Sequence, residues 1–249
     1  MSRPGQTSAL GAPTWRYLRP VGTYVSKLPA DRIERLRRWH QEVSAELHRL
    51  GPHDTAYLGL DLHVPVHVFP PMPTSDLLGR EVMARIRPDD RVLDMGCGAG
   101  ANAILAAQIT DQVIAVDVNP HAVEATAANA ARNGVGDRVR CVESDVFAEV
   151  DGDFDVIVVD PPFRWFPPTD LLERAVTDEG YATLGRFVAE VGDRLRPGGF
   201  VLLFFGTSGD VEHLDALLAT AHLSSTTIAE RHGRARGEDV TYFVRQIAR

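Results

Sequence analysis

"VLDMGCGAGANA" (residues 92–103) decides the fold: an apolar stretch, a glycine-rich turn and an alanine-rich helical start follow one another without a gap. Gly96, Gly98 and Gly100 allow left-handed φ values and let a ligand approach the backbone closely. With Ala101 they satisfy the loose G-x-G-x-x-G/A dinucleotide pattern, which alone is weak evidence. The next apolar stretch, "QVIAVDV" (112–118), carries Asp117 at its end, where a carboxylate accepts both hydroxyls of a ribose. At this level a nicotinamide enzyme and a methyl-transfer enzyme are not separated.

Working outward, strand and helix patterns alternate. Strands are predicted at 91–96, 112–118, 138–146, 154–160, 198–206 and 239–247, and helices near 101–109, 120–133, 181–195 and 210–221. Such alternation predicts an α/β fold, a Rossmann-like, mostly parallel sheet with helices on both faces. Residues 76–249 read as this domain and 1–75 as an N-terminal extension with a Pro/Gly-rich, loosely held start.

In the extension, Ile33, Leu36, Trp39, Val43, Leu47 and Leu50 recur at spacings of three and four, predicting an amphipathic helix over 31–50. "DRIE" has the form of a capping box, with Asp31 as N-cap. The helix packs on the main domain or covers the substrate site. "YLGLDLHVPVHVF" (57–69) alternates with period two and reads as a strand, which Pro65 marks as an edge. His63 and His67 invite a metal reading, but four residues along a strand span ~13 Å, too far to share one ion. No metal site is expected.

The composition, 44% hydrophobic and 24% charged, is that of a globular protein, and no apolar run approaches the ~20 residues that cross a bilayer. "MSRPGQTSAL" lacks the apolar core of a secretion signal, and Cys97 and Cys141 read as interior thiols, so a cytoplasmic location without membrane contact is expected. Residues 1–50 hold nine Lys/Arg and four Asp/Glu, a net of +5, which leaves −13 on the remainder of a chain whose total is −8. A basic arm on an acidic body can signal nucleic acid. The arm is rich in arginine with Lys27 as its single lysine, a usage that codon composition also produces.

Three features divide the two enzyme classes. Asp94 precedes the glycines, where a carboxylate repels pyrophosphate but suits a cationic ligand bearing an ammonium and a sulfonium. Asp145, in "ESDVF" (143–147), ends the third strand, where it could receive an adenine amino group. "DPPF" (160–163) ends the fourth beside the same crevice, the place where open α/β sheets bind ligands.

Together "VLDMGCGAG", "VDVNP", "ESDVF" and "VVDPPF" resemble the class I S-adenosylmethionine-dependent methyltransferases. The last motif is similar to the [D/N/S]-P-P-[Y/F/W] signature of enzymes that methylate nitrogen on a planar group. Within these the chain resembles release-factor glutamine and ribosomal RNA guanine-N2 methyltransferases. The first of these families has a P-x-x-x-T element matched by Pro70 to Thr74. The resemblance covers roughly 65–206. It implies that Gly96, Gly98 and Gly100 approach the cofactor's methionyl and ribose parts, with Asp94 near its amino group. It further implies Asp117 on the ribose, Asp145 with Val146 on the adenine, and Thr74 near the carboxylate. The implied cofactor is S-adenosyl-L-methionine, with S-adenosyl-L-homocysteine as product.

A planar amine or amide nitrogen is a poor nucleophile because its lone pair is delocalised. Two acceptors aimed at its N–H groups would turn the lone pair toward the methyl donor. The Asp160 side chain and the Pro161 carbonyl are the candidates, fixed in direction by the prolines. Phe163 could stack on the planar group. The glutamine methyltransferases carry Asn at this position; Asp160, which when ionised only accepts, leans toward an amine or nucleobase amino group. Arg164 could hold a substrate carboxylate or phosphate, and Trp165 and Phe166 could wall the pocket. The acidic body favours a small molecule or protein side chain as substrate and places an RNA or DNA base second. An inactive cofactor-binding subunit and a non-methyl alkyl transfer are the remaining readings; the oligomeric state is open.

Overall fold

The computed structural model describes residues 24–249. Six helices and nine strands follow in chain order: α1 (Ala30–Arg49), β1 (His53–Tyr57), β2 (Leu60–Val64), α2 (Asp76–Arg85), β3 (Val92–Met95), α3 (Ala101–Ala107), β4 (Val113–Asp117), α4 (Pro120–Arg132), β5 (Val139–Glu143), β6 (Phe154–Val159), α5 (Ala182–Val191), β7 (Leu195–Gly206), α6 (Val211–Thr220), β8 (Ser224–Ala235) and β9 (Glu238–Ala248). Seven strands form one sheet in the order β5-β4-β3-β6-β7-β9-β8, parallel from β5 to β7 and antiparallel over β7-β9-β8. Rossmann-like order is therefore present, with the crossover direction reversing between β3 and β6. Such a switch point leaves a crevice at the carboxyl ends of the strands.

The central strands are apolar on both faces because helices cover both. Leu93, Val156, Ile157, Val158, Leu202, Leu203 and Phe205 are fully buried. Each buried Leu, Val or Phe contributes ~1.5–3 kcal/mol relative to exposure, so this seam fixes the height at which every strand ends.

The extension differs from the expectation in three ways. Residues 57–69 are not one strand: the chain turns at Leu58 and Gly59, both with positive φ, and β1 and β2 form a separate antiparallel hairpin. Its Tyr57, Leu60 and Leu62 share a core with α2 and α3. The side-chain amides of Asn129 on α4 and Asn133 just after it hydrogen-bond its backbone at residues 63 and 61. Asp31 is not the N-cap of α1; it lies inside the first turn and pairs with Arg35 at 2.7 Å, while Pro29 holds the cap position. Finally, the inward face of α1 is Leu36, His40, Ser44 and Leu47, whereas Leu50 is exposed. His40 and Ser44 sit on that face opposite the buried Glu173 carboxylate.

Candidate functional site

A cavity of about 910 Å³ opens at the switch point, between the turn after β3, the ends of β4 and β6, and the loop that follows β6. The glycine turn is pinned to the sheet: the Gly96 and Cys97 amides donate to the Val116 carbonyl at 2.8 and 2.9 Å. Gly96 has φ +78 and faces open space on its side-chain side, and Gly98 has φ +53; both line the cavity. Gly100 does not. A Cβ there would lie about 3 Å from Thr126 on α4, so this glycine serves α3–α4 packing rather than ligand approach.

Asp117 closes β4 on the opposite wall. Its carboxylate accepts the Gly98 amide at 3.0 Å and the Asn119 amide at 2.9 Å, which leaves lone pairs on both oxygens for further donors. Burial raises its carboxyl above the ordinary range, opposed by those amides. Asp94 lies behind the turn, buried, accepting the Ala103 amide of α3 at 2.9 Å and not lining the cavity. Burial pushes it up to about 7, with Asp117 and Asp160 adding to the rise.

Asp145 and Val146 both line the cavity, but the Asp145 carboxylate is engaged bidentately by Arg186 at 2.6 and 3.1 Å. Val146 has φ +56, a conformation that a β-branched residue adopts only under strain, and strain of this kind concentrates at binding sites.

Asp160 and Pro161 line the cavity at the end of β6, next to β3. The Ser75 hydroxyl donates to the Asp160 carboxylate at 2.9 Å, and burial pushes that carboxyl up to about 7 against the opposing hydrogen bond. Thr74 is not a lining residue; its neighbour Ser75 is. The rest of the stretch that begins at Asp160 divides. Phe163 packs away from the cavity against Phe204, Phe205 and Tyr242. Arg164 is buried over the Trp39 ring with a short hydrogen bond to the Ser208 carbonyl, and Phe166 is buried against His40 under Arg37. Trp165 alone of these four lines the cavity.

Sequence reasoning missed Tyr24, Ser75, Asn102 and Arg174, all of which line the cavity. Asn102 sits in the first turn of α3, and its side-chain oxygen is buried without a hydrogen-bond partner among the described residues. Its position directly behind the glycine turn was the available signal. An orphaned acceptor there, beside a glycine with room on its side-chain face and an acidic strand end, fits a ligand that brings N–H donors and a ribose.

The family described as "Methyltransferase small domain" matches residues 73–233, more than half of the chain. A ribosomal RNA small subunit methyltransferase C of Alcanivorax borkumensis is 34% identical over 146 residues, covering 58% of this chain and 41% of that protein. A release factor glutamine methyltransferase of Agrobacterium fabrum is 31% identical over 125 residues, covering 47% and 43%. The chain thus spans about two fifths of the length of these two relatives. A T. thermophilus 16S rRNA N2 methyltransferase, solved in complex with AdoMet and guanosine, shares the fold with a TM-score of 0.58 at 23% identity, over 80% of this chain and 50% of that one.

Proposed function

The chain belongs to the small-domain methyltransferase family of S-adenosylmethionine-dependent enzymes, and from that premise we propose that it methylates a nitrogen on a planar group of a small molecule or protein side chain. The observation that carries this reading is the meeting of the Gly96–Gly98 turn, Asp117 and Asp160 in one cavity at the switch point. S-adenosylmethionine supplies an electrophilic methyl on a sulfonium and leaves as S-adenosylhomocysteine. Gly96 and Gly98 would receive its methionyl and ribose parts, Asp117 would accept from the ribose hydroxyls, and the free oxygen of Asn102 would take a proton of its ammonium. Asp145 would meet the adenine through its backbone, because Arg186 already holds its carboxylate. Val146 would pack on the ring.

Asp160 and the Pro161 carbonyl would hold the two N–H groups of the acceptor and turn its lone pair toward the methyl. Holding the two reactants in line supplies most of the rate in such a scheme. No strong base is needed, since the nitrogen acidifies as its new bond forms. A carboxyl poised near 7 takes its ionised, accepting form once a cation lies beside it.

An RNA base is the second reading, since one relative is named for ribosomal RNA. Against it, four of the arginines on α1 are already engaged: Arg35 with Asp31 and Glu238, Arg38 with Glu34, Arg32 on the Thr207 carbonyl and Arg37 on the Phe166 ring. Those contacts compete with a phosphate backbone for the basic groups of this helix. Incubation with methyl-labelled S-adenosylmethionine tests the main reading. Transfer with S-adenosylhomocysteine as co-product supports it; methylthioadenosine as co-product would overturn it.

A further inference from the structure

The cofactor-facing residues account for only part of the cavity. Its volume, about 910 Å³, lies at the top of the ~300–1,000 Å³ range of small-molecule sites, and the remainder runs beneath an excursion of the chain over residues 165–176. The neck of this excursion is closed: Arg164 and Thr177 form a β-bridge, and the Asp178 amide donates to the Arg164 carbonyl at 2.8 Å. Its tip is docked on α1. The Glu173 carboxylate is buried, accepting the Thr169 amide and hydroxyl at 2.7 and 2.6 Å and the Ser44 hydroxyl of α1. Asp170 meets His48 at 2.6 Å. The roof is therefore held by contacts within the chain itself, and Tyr24, whose hydroxyl donates to Asp210 at 2.6 Å, closes one side.

Arg174 projects from this roof into the cavity, half-buried. The acids next to it in sequence, Glu173 and Asp170, are spent on α1 and on the excursion itself. Among the described residues the Arg174 side chain makes no ion pair and no hydrogen bond. The other guanidinium of the cavity, Arg186, is taken by Asp145. Arg174 is close enough to Asp117 to oppose the rise in that carboxyl, yet it does not pair with it. A half-buried guanidinium with five donors and no protein acceptor is free to meet an acidic group that a ligand brings into the cavity. Trp165, on the same excursion, offers the flat apolar wall that Phe163 does not.

We propose that this compartment takes a small planar amine bearing a carboxylate or phosphate, with Arg174 holding the acidic group and Trp165 packing on the flat one. The inference rests on the methyltransferase reading and narrows its substrate class. An open groove for a protein loop or RNA would not need the roof, and a neutral acceptor would leave Arg174 unmatched.

The test uses the full chain saturated with S-adenosylhomocysteine, titrated calorimetrically with two matched pairs of probes: 4-aminobenzoate against 4-aminobenzamide, and adenosine monophosphate against adenosine. In at least one pair the anionic member should bind roughly tenfold or more tightly than the neutral one, the yield of one charge-assisted contact. Arg174→Gln should erase that preference and Arg174→Lys should keep part of it, both with S-adenosylhomocysteine affinity within about twofold of the parent. Absence of a preference in both pairs overturns the proposal. So does a parallel loss of S-adenosylhomocysteine affinity in Arg174→Gln, which would assign the guanidinium to the cofactor's own carboxylate. If the parent protein fails to bind S-adenosylhomocysteine at all, the underlying methyltransferase reading fails first, and the two failures are told apart in the same titration.

Discussion

The two walls of the cavity are held in place by different means. On the cofactor-facing side, the turn after β3 hangs on backbone hydrogen bonds to its neighbouring strand, and Asp117 is fixed by two amides within a few residues of the sheet. On the substrate-facing side, the excursion after β6 is held by side chains outside it: Ser44 and His48 of α1, far away in sequence, and Tyr181, whose hydroxyl donates to the Phe163 carbonyl at 2.7 Å and accepts the Asp210 amide at 2.8 Å. The first wall is a local consequence of parallel strands ending together. The second depends on contacts with α1 and with the region following β7, so a change there can alter it and leave the first in place.

This division predicts separable kinetic effects. Asp160→Ala should lower kcat by a factor on the order of 10²–10³, as loss of one preorganised acceptor does, while S-adenosylhomocysteine affinity stays within about twofold. Asp117→Ala should do the reverse, weakening S-adenosylhomocysteine about 10–100-fold through the loss of one charge-assisted interaction of ~1.5–3 kcal/mol. Equilibrium binding and single-turnover transfer, measured on both variants, check the pair. Equal loss of both parameters in both variants would break the separation of the walls.

Glu173→Ala probes the second wall directly. It removes the acceptor shared by Thr169 and Ser44 and leaves buried donors unsatisfied, a cost of ~1–3 kcal/mol. Amide exchange over 165–176 should quicken by about tenfold, with the 96–100 turn unchanged. Quickening that spread equally to the glycine turn would show that the two walls share one cooperative unit.

The same division explains what was legible in the sequence. Gly96, Gly98, Asp117 and Asp160 could be placed because each sits at the end of an apolar strand whose register the core enforces. Phe163 was expected to stack on substrate, but β7 and β9 present Phe204, Phe205 and Tyr242 at that height and draw its ring into the core. No local pattern announces that partner. Arg164 and Phe166 were likewise claimed by Trp39, His40 and Arg37 of α1, residues more than a hundred positions away. The inward face of α1 was read in part: apolar spacing found Leu36 and Leu47, but not His40 and Ser44, which face a buried carboxylate. Strand β8 escaped prediction because "SSTTIAERHGRA" is an edge strand with little buried surface, and α2 because its ten residues include Gly79 and bury only one short face.

The smallest expected effect concerns protonation, and it tests whether Asp160 lies between the walls as proposed. Its carboxyl is raised to about 7 by burial, so it is largely protonated at pH 6 and ionised at pH 8. A sulfonium placed beside it stabilises the ionised form, so binding of S-adenosylmethionine should release a proton at low pH and strengthen as pH rises. S-adenosylhomocysteine lacks that charge but keeps the ammonium and carboxylate, so effects at the methionyl end, including those of Asp94, cancel in the ratio of the two affinities. The ratio should therefore increase severalfold, at most about tenfold, between pH 6 and pH 8. Asp160→Asn should flatten it, while Asp94→Asn should leave its slope intact. A ratio independent of pH in the parent protein would place the sulfonium away from Asp160, and the acceptor nitrogen with it.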